Sequence, residues 1–180
     1  MKCPHCRSPS LSAASLSGGP EAHRCTSCGG VWIRDADYRA WQAKAAPPPA
    51  EDPCPELPVS DSREAKLCPD CGRLLIRFKV HPDVSFRLEH CGGCGGTWYD
   101  RNEWDVLRTR CLHLNINEFF TPIWQQELRR AEIRRHLEGQ YKERFGPEDF
   151  ARLKEVKTWL DGCAKRSEML AFLTSEDPYQ

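Results

Sequence analysis

Eight cysteines fall into four Cys-x-x-Cys pairs: Cys3 and Cys6, Cys25 and Cys28, Cys68 and Cys71, Cys91 and Cys94. Around the last pair, "HCGGCGGTWYD" (90–100) raises three chemistries: a glycine-rich phosphate cradle, a redox dithiol, or half of a metal site. A phosphate loop needs a Lys-Ser/Thr ending or a third glycine opening a helix, and Trp98 and Tyr99 stand there instead. A thioredoxin-type dithiol requires no second pair at a fixed distance. The pairs here follow C-x2-C-x18-C-x2-C and then C-x2-C-x19-C-x2-C. That spacing points to two tetrahedral sites of four thiolates each. Iron in a rubredoxin-like setting also accepts four thiolates. Rubredoxins, however, usually separate their pairs by more residues and place the Cys-Pro knuckle second. Zinc is therefore the expected ion, at two Zn2+ per chain, with all eight cysteines as ligands.

The two sites are copies of one unit. "RCTSCGGVWIR" (24–34) matches "HCGGCGGTWYD" with both cysteines, both glycines and the tryptophan in register, and each follows a Cys-Pro-x-Cys pair. Gly29 and Gly95 supply the positive φ that a turn after the second cysteine requires. His5, His23, His81 and His90 lie near the cysteines, but four thiolates already complete each tetrahedron. Cys54, Cys111 and Cys163 are left over as incidental thiols, Cys54 in the exposed-looking "EDPCPELP".

Two short strands must bring each second knuckle opposite the first. In the second copy they are legible as "LLIRFKV" (74–80), a turn at 81–83, and "VSFRLEH" (84–90), which puts Val84, Phe86 and Leu88 on one face. In the first copy Gly18-Gly19-Pro20 marks the turn, with few β-branched residues beside it. Trp32 and Trp98 are expected to cover their own zinc knuckles. Asp100 and Glu103 read as a capping box opening a helix over 101–110, with Trp104 and Leu107 inward. Tyr38 and Trp41 hold equivalent places after Asp35.

The pattern Cys-Pro-x-Cys, then Cys-x-x-Cys-Gly-Gly-x-Trp-x-Asp-x-x-Glu, resembles the transcription factor IIB-type zinc-ribbon family of small, mostly bacterial proteins. The resemblance covers about 3–41 and 68–108. Asp100 and Glu103 fill the family's acidic positions, whereas Arg34 and Asp37 replace them in the first copy. It implies a zinc-stabilised binding module and carries no promoter recognition with it, because one fold hosts many functions.

The expected architecture is a small metal-bound α+β chain. A first ribbon (1–42) and a second (67–111), each a short hairpin plus a short helix, flank a linker (43–66), and an α-helical unit (112–180) follows. The linker has six prolines and almost no large apolar group, so the ribbons are not expected to share a core. In the helical unit, Thr121-Pro122 opens a helix running to Phe145 before Gly146-Pro147. Further helices fit 148–160, with Phe150, Leu153, Val156, Trp159 and Leu160 as apolar set, and 164–173. Trp124 and Trp159 are candidate exposed aromatics for a dimer.

Lys plus Arg and Asp plus Glu both number 26, so the formal charge is zero. Two zinc-tetrathiolate sites would bring it to about −4. A nucleic-acid binder usually presents a basic excess. Arg129, Arg130, Arg134 and Arg135 are candidate partner contacts, but Glu127, Glu132 and Glu138 are interspersed among them. No charge-flanked apolar leader and no 18-residue apolar run is present, so the expected location is the cytoplasm, with no membrane partner. Closed four-cysteine sites argue against an enzyme, since catalytic zinc keeps an open position. The expectation is a non-enzymatic adaptor for a protein partner, linked by analogy to transcription or translation machinery. The alternative is direct RNA or DNA binding through ribbon loops and Arg129–Arg135.

Overall fold

The structure is a computed structural model, and it describes residues 1–8, 10–45, 58–59 and 61–179. Cys54 lies outside the described residues. The chain forms two compact units, residues 1–129 and 130–180.

In the first unit, β1 (Leu11–Ser15), β2 (Glu21–Cys25), β3 (Val31–Ile33) and α1 (Asp35–Gln42) make up the first ribbon. β4 (Ile76–Lys79), β5 (Arg87–His90), β6 (Thr97–Tyr99) and α2 (Glu103–Thr109) repeat that order in the second. The six strands form one sheet in the order β1-β2-β3-β6-β5-β4, a palindrome of the two copies. Its centre is the antiparallel pairing of β3 with β6, in register Val31 to Tyr99, Trp32 to Trp98 and Ile33 to Thr97.

This overturns the expectation of ribbons without a shared core. Successive residues of a strand point to opposite faces, so the central pair contributes to two cores. On one face Trp32 and Trp98 pack among Cys3, Cys25, Cys68 and Cys91. On the other, Val31, Ile33 and Tyr99 join Leu16, Tyr38, Val80, Val84, Phe86, Leu88, Trp104 and Leu107. Val84, Phe86 and Leu88 are all buried, as their alternation requires. Prolines between two pieces of chain do not decide whether those pieces dock; the pairing of β3 with β6 does.

After α2 come a single 3-10 turn (Leu112–Leu114) and α3 (Ile116–Phe119), followed by α4 (Pro122–Phe145), within which the boundary between the units falls. Ile116 and Phe119 belong to the ribbon core. The Tyr38 hydroxyl donates to the His113 carbonyl (3.0 Å) and accepts from the Ile116 amide (3.2 Å), fixing this segment to α1. The Thr121 hydroxyl caps α4 by accepting from the Trp124 amide at 3.3 Å. Trp124 is not the exposed aromatic expected: its indole donates to the Val80 carbonyl (2.9 Å) and its ring packs on Phe119.

The second unit continues α4 and adds α5 (Pro147–Asp161) and α6 (Arg166–Thr174). Tyr141 stacks on Phe150 and Lys154 pairs with Glu138, so α4 and α5 form an antiparallel hairpin. Of the apolar set expected for α5, Phe150 and Leu160 are buried, while Leu153, Val156 and Trp159 are exposed.

Candidate metal centres

Each knuckle is built by the same local device. The amide four residues after the first cysteine closes the turn onto that cysteine's carbonyl: Arg7 to Cys3 (2.8 Å), Gly29 to Cys25 (3.0 Å), Gly72 to Cys68 (2.9 Å) and Gly95 to Cys91 (2.9 Å). The closing residue is left-handed in all four, with φ of 59°, 76°, 71° and 75°. Three are glycine, which meets no Cβ clash there, and Arg7 is the exception. The turn also aims amides at sulfur, as in Cys6 to Cys3 Sγ (3.3 Å), Cys28 to Cys25 Sγ (3.5 Å) and Cys71 to Cys68 Sγ (3.4 Å).

The four sulfurs of each copy converge, all within 4.8 Å of one another. In the first cluster Cys3 Sγ lies 3.7 Å from Cys28 Sγ and Cys25 Sγ 3.8 Å from Cys6 Sγ. In the second, Cys68 to Cys94 is 3.5 Å and Cys71 to Cys91 is 3.4 Å. A tetrahedron with zinc–sulfur bonds of about 2.3 Å has edges of about 3.8 Å. These separations are too long for disulfides and match that polyhedron, so the residues present fit zinc at both sites, two ions per chain.

The thiols are set unevenly for that role. Burial pushes Cys3 up to about 11 and raises Cys28 and Cys68 as well. Burial also opposes ionisation of Cys25, yet the Cys28 amide and the Ser10 hydroxyl, 2.9 Å from its sulfur, outweigh it and bring it down to about 6. Cys91 falls to about 7 because the Cys94 and Gly93 amides overcome its burial. Cys25 in the first cluster and Cys91 in the second are thus the thiols shifted toward thiolate, and a divalent ion would favour the thiolate form at every ligand. Cys6 and Cys28 are half-buried, whereas Cys71 and Cys94 are exposed.

The second glycine of each Gly-Gly pair makes room for the other ribbon. A Cβ on Gly30 would sit 2.3 Å from the Trp98 ring, and one on Gly96 would sit 2.2 Å from the Trp32 ring. The tryptophans thus wedge between the two metal clusters rather than covering only their own. Each indole N–H ends on a carboxylate: Trp98 on Asp100 (2.7 Å) and Trp32 on Asp70 (3.0 Å), inside the other copy's first knuckle. Arg34 explains its departure from the family pattern here, donating through Nε (3.0 Å) and Nη2 (3.1 Å) to the same Asp70. Those bonds hold the Asp70 carboxyl below the usual carboxylate range.

Asp100 corrects the capping-box reading. Half of the box is present, since the Asp100 amide donates to Glu103 Oε2 at 2.8 Å. The Asp100 side chain, however, turns away from the helix. It accepts from the Trp98 indole, the Ser62 amide (2.9 Å) and the Lys66 ammonium (2.8 Å). Lys66 is itself buried and reaches Glu89 at 2.8 Å, beside Arg77 Nε at 3.2 Å. Burial would lower the Lys66 pKa, but Asp100 and Glu89 raise it, so the ammonium stays charged. Burial and, after it, the Asp100 carboxylate push the Glu103 carboxyl well above the usual carboxylate range. Asp61, Asp100 and Glu103 lie close enough to hold a cation, and Lys66 already supplies the positive charge there. Sequence reasoning missed this network, in which Lys66 lies 23 and 34 residues from its two carboxylates and Ser62 lies 38 residues from Asp100.

Arg129, Arg130, Arg134 and Arg135 are all exposed on α4. Among the described residues no helix is long and apolar enough to cross a membrane. No curated protein and no solved structure matches the chain. Residues 2–44 match the model of the transcription factor zinc-finger family, the zinc ribbon of the transcription factor IIB type, and residues 68–94 repeat its four-cysteine metal site.

Proposed function

We propose that the chain is a non-enzymatic zinc-stabilised adaptor. In this reading the paired ribbons are a rigid platform and the helical part binds a protein partner. The observation that carries it is the closure of both metal sites by four protein thiolates. A tetrahedral ion so enclosed has no position for water or substrate, and its contribution is to folding. What remains for function is surface, and residues 130–180 expose large apolar side chains on three helices. The family matched by the first ribbon suggests transcription machinery as the setting, by analogy of fold alone.

The test is affinity purification of the tagged chain from its own host under native conditions, with and without nuclease. A stoichiometric protein partner that survives nuclease is expected. Partners that vanish with nuclease, beside a nucleic-acid absorbance peak, would replace this reading with direct RNA or DNA binding through the exposed arginines. Such binding would also weaken steeply with salt.

A further inference from the structure

Residues 130–180 form three helices in which Phe150 and Leu160 are the only buried apolar residues described. A unit of this size with so little core does not stabilise itself and normally gains a core by association. The exposed apolar groups are not scattered. Tyr141 faces Phe150 across the α4–α5 hairpin. With 3.6 residues per turn, Leu137 and Ile133 lie about 40° and 80° to one rotational side of Tyr141. Leu153 and Val156 lie about 60° and 120° to the same rotational side of Phe150. In an antiparallel pair, equal rotational sense places residues on the same face of the hairpin. Ile133, Leu137, Leu153 and Val156 therefore share one face, bordered by the Tyr141 ring at the seam.

We propose that this face is covered by the same face of a second copy, closing a four-helix bundle across a two-fold axis. These five side chains are each 42–61% exposed. Together they present roughly 500 Å², the apolar centre of an interface that a polar rim extends toward the ~800 Å² per partner of a stable contact. Charge also favours a second copy. Residues 130–180 carry ten basic and ten acidic side chains, so two such faces meet without net repulsion. A two-fold contact needs a patch complementary to itself, and a neutral aliphatic stripe on an antiparallel hairpin meets that need. The inference names one partner surface of the adaptor reading, and its failure leaves that reading standing.

The experiment is analytical ultracentrifugation of the zinc-loaded full chain, with circular dichroism over the same concentrations. The expected result is a mass about twice the 20.6 kDa chain at micromolar concentration. The paired variant Leu137→Glu/Leu153→Glu is expected to be monomeric while keeping two zinc ions. Val156→Lys, which retains a helix-compatible side chain, is expected to weaken the dimer at least tenfold with its helicity preserved at high concentration. A wild-type chain that stays monomeric would overturn the proposal. So would a dimer that the paired variant and Val156→Lys leave intact, since the interface would then lie elsewhere.

Discussion

Gly96 and Lys66 show how single residues hold the ribbon pair together. Gly96 faces the Trp32 ring so closely that even a methyl group has no room. Trp32 is fully buried between the metal clusters and cannot move aside cheaply. Gly96→Ala is therefore expected to destabilise the zinc-loaded protein by about 2–3 kcal/mol through overpacking, read as a fall in thermal midpoint by tryptophan fluorescence. Lys66 neutralises Glu89 and Asp100 in a buried setting. Lys66→Met keeps most of the packing but strands the Asp100 carboxylate and leaves Glu89 with Arg77 alone, a loss of about 3–5 kcal/mol measurable by urea denaturation. An unchanged midpoint would mean that the network is solvated rather than buried.

At the scale of elements, the metal ligands and the second hairpin were legible because they rest on local rules. Cysteine spacing identifies the clusters, and strict alternation at Val84, Phe86 and Leu88 identifies a buried strand face. The helices α4 and α5 lie close to their expected bounds because Pro122, Gly146 and Pro147 punctuate them. The β3–β6 pairing was not legible, since three-residue strands show no period. A signal did exist. Positive φ explains Gly29 and Gly95 but not the following Gly30 and Gly96, and a glycine in a strand-like run often marks close approach of another group. Asp100 was misread because Asp-x-x-Glu is a local pattern, whereas its real partners, Lys66 and Ser62, are distant in sequence. The shared sheet changes what a ligand substitution does. Two independent ribbons would let Cys91→Ser empty the second site alone. With Trp32 and Trp98 packed among cysteines of both clusters, Cys91→Ser is expected to weaken zinc binding at the first site as well. A chelator competition assay on the purified variant measures this, and an unaltered first-site affinity would contradict the shared core.

For the whole molecule, the palindromic sheet makes residues 1–129 one metal-dependent folding unit rather than two beads on a proline string. The structural ions then act through linkage: filling either cluster favours the fold that preorganises the other. Native mass spectrometry of the metal-stripped chain during stepwise zinc addition tests this most directly. The metal-free and two-zinc species are expected to dominate throughout, with the one-zinc species a minor population, and uptake is expected to stop at two zinc ions. A one-zinc species accumulating to the level expected for independent sites, or saturation at a single ion, would contradict this linkage.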